Sequence, residues 1–382
     1  MESVIKKNII VNAVSLKNGG ARTILLQFFN QLILKQNDFR DFDFYLFICD
    51  GVELDARDIP ISLQIVHLPV NNIVERVNWE VFGLRKWIKE KDLNVSLFVS
   101  LQSIGFFFND KNQLIYYHNP IPVYPKRWNI WKKNETKLWI YKTIFKKIMR
   151  WSYNDNSVFI AQVKWVEQAL KDTFYINGDQ IHIIKPDISS FQNRIHFLND
   201  NGAHQSDPNY IYFPATEYPY KNHLFIVNIL SRLLQTAPNE EPLLSTWKII
   251  FTLDVNTSSI YQIIKQRGLE KYFLFTGHVS YNEAMKYYQK SKLILFPSYI
   301  ETFGLPLIEA AFFGKKILAS DLSFVSEVLP DYDGLQMIPL TDEDAWVKAL
   351  LDNINHAASF DSYLPNYETG WDDFFGLIKR YS

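Results

Sequence analysis

The chain is poor in cysteine and lacks any long apolar run. Its 382 residues include a single cysteine, Cys49, which excludes a disulfide scaffold and fits a reducing cytoplasm. Because Cys49 lies in the apolar run 44–49, we expect a buried thiol. No stretch of roughly 18–20 uncharged apolar residues occurs, so the sequence predicts no membrane-spanning helix. The N-terminal segment also lacks the pattern of a signal peptide.

An excess of charge of one sign and the usual metal-ligand patterns are absent as well. The formal net charge is −1, which gives no case for nucleic-acid binding by the chain as a whole. The eight histidines show no paired spacing typical of a zinc site. The triplets at 41–43 and 331–333 have the D-x-D pattern of metal-dependent transferases, but such triplets are frequent by chance. We therefore predict neither a metal site nor a cofactor.

Short apolar runs alternate with amphipathic segments through most of the chain. Single cores stop growing near about 250–300 residues, so a chain of 382 residues is expected to form two domains. The alternation is typical of parallel sheets joined by crossover helices. The predicted strands are 8–14, 44–49, 64–68, 95–101, 113–118, 158–161, 182–184, 210–213, 248–253, 272–276, 292–296 and 316–319.

The polar interval 198–209, rich in Asn, Asp, Gly and Pro, predicts a linker. It separates an N-terminal α/β domain, residues 1–200, from a C-terminal α/β domain, residues 208–369. Residues 370–382 have the pattern of a final amphipathic helix. From its residues alone, this helix is as compatible with the second domain as with the first.

The segment 292–320 is the most informative part of the chain. Its sequence, KLILFPSYIETFGLPLIEAAFFGKKILAS, predicts a strand, a glycine-containing loop, a helix and a second strand. Pro306 suits the first turn of the helix and Gly314 suits its end. Glu301 is then expected in the loop and Glu309 about one turn inside the helix.

The start of this helix is expected to bind phosphate. The N–H groups of Phe303, Gly304 and Leu305 lie at the positive end of the helix dipole, where intrahelical partners are missing. A diphosphate with a sugar on one side and a ribose on the other would match the flanking Glu301 and Glu309. For two carboxylates alone, the alternative is a solvated loop acid and a surface helix acid.

The pattern at 297–310, P-S-x-x-E-x-F-G-L-P-x-x-E-A, resembles the E-x7-E segment of retaining glycosyltransferases of family 4. This resemblance implies the GT-B fold, an α/β architecture of two Rossmann-like domains whose parallel sheets face each other across a cleft. It implies that Glu301 contacts the donor sugar hydroxyls and that Glu309 binds the nucleotide ribose. It also implies that the helix at 370–382 packs back on the first domain.

The K-N-H sequence at 221–223 extends the resemblance. In the family this lysine neutralises the donor diphosphate, which implies the same role for Lys221 and places Asn222 among the donor-binding residues. A leaving diphosphate needs such a cation because charge builds on its oxygens. Many members carry an arginine about six residues earlier, where this chain has Ala215, so the residues left for the phosphates are Lys221, Thr216 and, as a further candidate, Arg22. A solvated lysine is the alternative for Lys221.

Three further positions resemble the family more weakly. Gly19 and Gly20 open a helix after the first strand and are expected to border the donor phosphates, with a simple tight turn as the alternative. His118 ends a strand, where α/β folds place ligands, and is expected beside the transferred sugar; a capped loop histidine is the alternative. Gly277, at another strand end, is expected to allow close approach of the nucleotide.

Residues 124–151 form a basic aromatic strip, with nine Lys or Arg against one acid. On a helical wheel begun at residue 138, one arc collects basic residues and the opposite arc collects apolar ones. The basic arc contains Lys142, Lys146, Lys147 and Arg150, and the apolar arc contains Tyr141, Ile144, Phe145, Ile148 and Trp151. The strip either packs its apolar arc on the first sheet or lies on an anionic membrane surface. The predicted acceptor or membrane contacts are Arg22, Trp128, Trp131, Lys132 and Lys133.

The sequence thus predicts a retaining, metal-independent glycosyltransferase with Glu301, His118 and Lys221 as catalytic residues. It would move a hexose from a nucleotide-sugar, with a UDP-sugar favoured and GDP-mannose next, to a glycan or lipid-linked glycan. Synthesis of a cell-surface polysaccharide such as the O-antigen of lipopolysaccharide is the expected setting. The protein is expected in the cytoplasm, either free or peripheral on the inner face of the cytoplasmic membrane, without a nucleic-acid partner.

Two kinds of alternative stay open from the residues. The enzyme alternatives are a glycan phosphorylase or a nucleotide-sugar epimerase, neither of which has its own signal in the sequence. The alternative from another class is a non-catalytic sugar- or lipid-binding partner of a polysaccharide assembly complex. Ala215, in place of the expected arginine, is the feature that favours this last alternative.

Overall fold

The computed structural model of the protein describes residues 6–17, 19–54, 62–108, 110–132, 135–188, 209–356, 358–366 and 370–382. The chain divides into two compact units, Met1–Ile188 with Glu368–Ser382, and Ser189–Tyr367. The domain limits predicted at 200 and 208 lie outside the described residues. Each unit is built on one parallel sheet with helices, which confirms the predicted α/β fold class.

The first unit contains a seven-stranded parallel sheet. Its strands are β1 (Lys7–Asn12), β2 (Phe42–Cys49), β3 (Leu63–Leu68), β4 (Val95–Ser100), β5 (Gln113–Tyr116), β6 (Ser157–Ala161) and β7 (Ile181–Ile183). They lie in the order β3-β2-β1-β4-β5-β6-β7, so the strand order reverses between β1 and β4. In open α/β sheets, a crevice for ligands forms at the carboxyl ends of the strands where the order reverses.

Helices connect these strands. They are α1 (Gly19–Leu34), α2 (Ile73–Asn78), α3 (Leu84–Glu90), α4 (Thr136–Ile140), α5 (Lys146–Ser152) and α6 (Lys164–Phe174). A π-helical turn, Trp79–Gly83, joins α2 to α3, and a second one, Tyr141–Phe145, joins α4 to α5. Such turns insert one residue into a helix and are frequent at functional sites.

Both faces of this sheet are covered. Ile9 and Val11 on β1 belong to one apolar cluster, whereas Ile10 between them belongs to another, as the two-residue period of a strand requires. The first cluster includes α1 residues such as Phe28, and the second includes Leu84 of α3. Burial on both faces explains why the strands read as continuous apolar runs.

The C-terminal helix, Trp371–Tyr381, lies in the first unit and completes this core. The Trp371 ring is 1% exposed and stacks on Tyr116 with ring centroids 6.2 Å apart. Its indole N–H donates to the Gln27 side-chain oxygen at 3.1 Å. Phe374 and Phe375 pack against Phe28 at 6.0 and 5.5 Å. These contacts hold the end of the chain on α1 and the sheet.

The prediction that residues 138–151 bury one apolar arc is wrong in part. Phe145 is buried as expected, but Ile144 is 48% exposed and Trp151 is 67% exposed. The buried side chains of this segment include Leu138 and Met149 instead. The π-helical turn Tyr141–Phe145 accounts for the error, because the inserted residue rotates the two helical halves relative to a regular wheel.

The second unit contains a six-stranded parallel sheet in the order β10-β9-β8-β11-β12-β13, which reverses between β8 and β11. Its strands are β8 (Asn209–Phe213), β9 (Trp247–Phe251), β10 (Phe273–Phe275), β11 (Ser291–Phe296), β12 (Lys316–Ser320) and β13 (Leu335–Ile338). Its helices are α7 (His223–Thr236), α8 (Glu241–Leu244), α9 (Ser259–Gln266), α10 (Tyr281–Lys290), α11 (Leu305–Phe312), α12 (Ser323–Val328) and α13 (Glu343–Asn355).

All predicted strands form, each with ends within two residues of the expected ones. The sequence missed β13, an edge strand whose Gln336 and Met337 are not buried and which therefore lacks a continuous apolar run. Cys49 is 2% exposed and unpaired, which confirms the buried thiol. Within the described ranges, no helix is long and apolar enough to span a membrane.

Candidate active site

Two loops of the second unit are tied together where the strand order reverses. One loop follows β8 and the other follows the adjacent β11. The Tyr299 N–H donates to the Tyr220 carbonyl at 3.0 Å, and the Asn222 side-chain amide donates to the Pro297 carbonyl at 3.3 Å. Asn222 adopts a left-handed backbone conformation (φ 65°), which asparagine tolerates better than most residues, and α7 begins directly after it. These contacts place the side chains of both loops at one edge of the sheet.

Lys221 and Glu301 form an ion pair across these two loops. Both side chains are largely removed from solvent, at 15% and 13% exposure. The Lys221 ammonium also lies 5.7 Å from the centroid of the Tyr220 ring. Separating the two charges in such a place costs free energy because neither side chain regains full hydration. The structure thus brings together the cation and the carboxylate that the sequence had assigned to the diphosphate and the sugar.

The start of α11 has the geometry expected of the F-G-L sequence. Gly304 precedes the helix with φ 89°, a left-handed value that strains any other residue. A Cβ added there would lie 3.3 Å from the Leu307 Cδ1 atom, so the position is also crowded. The Leu307 N–H already donates to the Gly304 carbonyl at 2.9 Å. Phe303 is buried, and its ring anchors the loop ahead of the helix.

Glu309 lies on α11 as predicted, but its carboxylate is set against a buried phenol. The Tyr288 hydroxyl of α10 hydrogen-bonds to Glu309 and lies 3.2 Å from the Pro306 carbonyl oxygen. Burial, and then the negative charge of Glu309, raise the pKa of Tyr288. The same two causes raise the pKa of Tyr212 on β8. Glu309 is therefore oriented by protein side chains, and its contact with a ribose stays a prediction.

His223 of the K-N-H sequence has a structural role that the sequence did not reveal. Its ring is 2% exposed and packs against Phe213 and Phe251, with centroids 4.7 and 5.0 Å away. Its Nε2 donates to the Ala215 carbonyl at 3.3 Å. Burial lowers the pKa of His223 to about 3, so the ring is neutral at pH 7. In the sequence, the only sign of this structural role is that His223 stands at a helix start in a unit whose strands are rich in aromatic residues.

Thr216 and Gly277 are the remaining predicted donor residues of this unit. Thr216 is exposed on the loop after β8. Gly277 follows β10, the edge strand, which is three strands away from β11 or roughly 14 Å at the usual strand spacing. A Cβ at Gly277 would meet no atom within 4 Å, so close packing does not require a glycine here. The positive φ of 70°, which L side chains rarely adopt, does favour one.

In the first unit, a buried polar cluster joins the loops after β1 and β4. The Gln102 side-chain oxygen accepts from the Ser15 N–H at 2.9 Å, and its amide nitrogen donates to Glu80. Glu80 lies in the π-helical turn with its side chain fully buried, and it pairs with the Arg76 Nε at 2.8 Å. Burial raises the pKa of Glu80, while the positive charge of Arg76 opposes that shift. The sequence missed this cluster, although its polar residues follow an apolar strand directly.

His118 lies at the end of β5, as predicted. The N–H groups of His118 and Asn119 both donate to the Ser103 hydroxyl at 2.9 Å, which fixes the turn. The Nδ1 atom of His118 is buried without a hydrogen-bond partner among the described residues. Burial, and then the nearby Arg76 charge, lower the pKa of His118 to about 4. The imidazole is therefore neutral at pH 7 and suited to hydrogen bonding.

The glycine pair opens a helix as expected. Gly19 is the first residue of α1, with φ 62°, and a Cβ at either glycine would meet no atom within 4 Å. Gly19, Gly20 and Arg22 are exposed. The loop before them is held by the Ser15 bond to Gln102 described above. Both glycines therefore leave backbone accessible beside the point where the strand order reverses.

The predicted acceptor and membrane contacts behave differently from one another. Trp131 is 91% exposed, and Lys132 is exposed with its ammonium 3.7 Å from Glu135. Trp128, however, is 5% exposed, so its ring is not presented at the surface as the membrane hypothesis required. Lys133 lies outside the described residues.

Comparison with known proteins identifies the family of the second unit. Residues 196–361 match the family described as glycosyl transferases group 1. Those residues are a glycosyltransferase group 1 domain. Lys221, Glu301 and Glu309 all belong to this glycosyltransferase domain. Membership of family 4 stays a prediction.

One relative and two solved structures are similar over much of the chain. The O-antigen chain mannosyltransferase RfbU of Salmonella typhimurium is 23% identical over 239 residues, 60% of this chain and 61% of that protein. The chain thus matches less than two thirds of the relative's length. WaaG, a glycosyltransferase involved in lipopolysaccharide biosynthesis, is 11% identical with a TM-score of 0.66 over 91% of this chain and 90% of that one. Anabaena HepE, solved with UDP and glucose, is 12% identical with a TM-score of 0.56 over 92% of each chain. The fold is that of GT-B glycosyltransferases.

Proposed function

We propose that the protein is a retaining, metal-independent glycosyltransferase that moves a hexose from a nucleotide-sugar to a glycan acceptor. The observation that carries the proposal is the Lys221–Glu301 pair at the point where the sheet of the glycosyltransferase domain reverses its strand order. A cation and a carboxylate at this edge suit the two parts of a donor that must be held differently, its diphosphate and its sugar.

The proposed chemistry follows from these positions. The bond from the anomeric carbon to the diphosphate oxygen breaks, and a bond to the acceptor hydroxyl oxygen forms on the same face. The leaving phosphate takes the acceptor proton. Lys221 stabilises the charge that develops on the diphosphate, together with the N–H groups at the start of α11. Glu301 accepts hydrogen bonds from the sugar hydroxyls.

We propose a nucleoside diphosphate sugar as donor, with a UDP-sugar favoured and GDP-mannose next. The solved complex of HepE with UDP supports a UDP-sugar, and the name of RfbU, a mannosyltransferase, supports GDP-mannose. Such a donor is elongated, and the spacing of roughly 14 Å between β10 and β11 leaves room for the base near Gly277 and the sugar near Glu301. Glu309, already oriented by Tyr288, would hold the ribose.

For the acceptor we propose a glycan, lipid-linked at the inner face of the cytoplasmic membrane, in lipopolysaccharide or O-antigen synthesis. The relatives RfbU and WaaG support this setting by their names. Exposed Trp131 beside Lys132 supports contact with an anionic surface, whereas buried Trp128 does not contribute. Reduced sedimentation with anionic vesicles in Trp131→Ser would support this part of the proposal, and unchanged sedimentation would count against it.

The test of the main proposal is a donor panel measured first by thermal shift and then by product formation. UDP, GDP, ADP and their common sugars are added in the presence of EDTA. A ligand at a hundredfold excess over Kd stabilises the folded state by about 2.7 kcal/mol. We expect one nucleotide to stabilise the protein and its sugar form to yield nucleoside diphosphate with an acceptor glycan.

The matched variants are Glu301→Gln and Glu241→Gln. Each removes one carboxylate charge from a lysine pair, but the Glu241–Lys271 pair is exposed and lies elsewhere on the same unit. Loss of turnover only in Glu301→Gln supports the proposal. Donor binding without turnover in the wild-type protein, over a broad acceptor panel, would favour a non-catalytic binding partner instead.

A further inference from the structure

A basic pocket lies in the first unit, and none of the residues assigned above to donor chemistry lines it. Its volume is about 530 Å³. Five cationic side chains contribute to its lining, and no aspartate or glutamate does. The five are Arg127, Lys142, Lys146, Lys147 and Arg150. Four of them come from the π-helical turn and α5, as the basic arc of the sequence had suggested.

The charges of this pocket are not balanced by the protein. Among the described residues, none of the five cations forms an ion pair with a carboxylate. Lys142 is half-buried, and its ammonium donates to the carbonyls of Pro122, at 3.2 Å, and Tyr124. Burial, and then the positive charges of Lys146 and Arg127, lower the pKa of Lys142 to about 8. Like charges this close together repel one another, and an anion bound in the pocket would offset that repulsion.

Aromatic side chains supply the rest of the wall. Phe174 is buried, and the Lys146 ammonium lies 6.0 Å from its ring centroid. Trp128 is 95% buried, and its indole N–H has no hydrogen-bond partner among the described residues. Tyr175 ends α6 in a left-handed conformation (φ 58°), which leaves its ring 89% exposed at the pocket. The pocket therefore offers cations and apolar surface together.

We propose that this pocket binds a phosphate ester, either a single phosphate or a diphosphate group. Guanidinium groups and ammonium groups are the preferred partners of phosphate oxygens, and Arg127 and Arg150 can each present a planar fork. The volume falls in the range of small-molecule sites and exceeds the needs of a single monovalent anion. The aromatic wall suits the organic part of the ester.

An ordinary solvated helix face explains these features less well. On such a face, lysines extend into water and commonly pair with acids one turn away. Lys86 and Glu90 on α3 show that arrangement, with exposed side chains 3.7 Å apart. Lys142 and Lys146 are instead partly buried, and both face a concave surface.

The test is calorimetric titration of inorganic pyrophosphate into the full chain carrying Lys221→Met. That background removes the cation proposed for the donor diphosphate, so that a negative result for the pocket is distinct from failure of the proposed function. The pocket variant adds Arg127→Glu and Arg150→Glu, two exposed positions that leave the core unchanged. The control adds Lys89→Glu and Lys91→Glu, which make the same charge change at exposed positions outside the pocket.

We expect saturable binding that weakens by about tenfold or more in the pocket variant and persists in the control. A parallel sedimentation assay with phosphatidic acid and phosphatidylcholine vesicles distinguishes the source of the phosphate. Binding of pyrophosphate alone indicates a soluble ester, and pocket-dependent binding of phosphatidic acid vesicles indicates a lipid headgroup. Equal binding by the pocket variant and the control, or no binding of either probe, would overturn the proposal.

Discussion

Lys221 and Glu301 are 80 residues apart in the chain, yet their side chains form an ion pair that is largely shielded from solvent. The pair exists because β8 and β11 are neighbours in the sheet and because two hydrogen bonds join the loops that follow them. Its position at the reversal of strand order makes it the most direct target for mutation.

Replacing Lys221 by Met is expected to lower turnover of the donor by about 10²–10³-fold, because a developing diphosphate charge loses its cation. The measurement is the steady-state rate of nucleoside diphosphate release. Lys271→Met is the matched control, since Lys271 pairs with Glu241 at 2.6 Å on the exposed surface of the same unit. Circular dichroism establishes that both variants fold. Equal rates for Lys221→Met and the control would remove Lys221 from the mechanism.

Asn222→Ala is expected to lower the free energy of unfolding by about 1–2 kcal/mol. Alanine has no means to offset the left-handed backbone at this position, and the bond to the Pro297 carbonyl is lost. Asn222→Gly is the informative control, because glycine accepts the conformation and loses only the side-chain bond. Urea unfolding should therefore order the proteins as wild type, Gly, then Ala. The reverse order of Gly and Ala would show that backbone strain is not the main cost.

Acidification is expected to destabilise the protein partly through His223. Its folded pKa of about 3 lies below the unfolded value, so the unfolded chain binds more protons between these two values. The stability contributed by the neutral ring is complete above about pH 6.5 and falls as pH decreases toward 3. Urea midpoints measured across this range should fall less steeply in His223→Gln. Parallel curves for the two proteins would contradict the prediction.

Glu80→Ala is expected to destabilise the protein by about 3 kcal/mol or more, because Arg76 would keep a largely buried charge without its partner. Replacing both residues together, as Arg76→Leu with Glu80→Leu, should cost less than Glu80→Ala alone. Glu90→Ala provides the exposed comparison, since Glu90 pairs with Lys86 at the same spacing and should cost less than about 0.5 kcal/mol. Chemical denaturation measures all three, and a cost for Glu80→Ala as small as that of Glu90→Ala would show that the pair is not coupled to stability.

The local parts of this protein were predictable. The parallel strands read as apolar runs because both faces of the first sheet are covered, and the start of α11 follows from the turn conformation of Gly304 and the proline after it. The edge strand β13 escaped prediction for the opposite reason, since part of it stays exposed. Each of these features depends on residues close together in the chain.

The sequence by itself therefore determined the two-domain α/β class, the strand–loop–helix frame around Glu301 and the chemical types available to the site. Only the tertiary structure decided that Lys221 meets Glu301, that Glu309 is set against Tyr288, and that Gln102 bridges Ser15 and Glu80. Only the tertiary structure decided, too, that Trp128 is buried and that a π-helical turn changes which side chains of the basic helix face the core. The physical reason is that strand order and side-chain burial depend on contacts between distant segments, which local pattern and propensity do not specify.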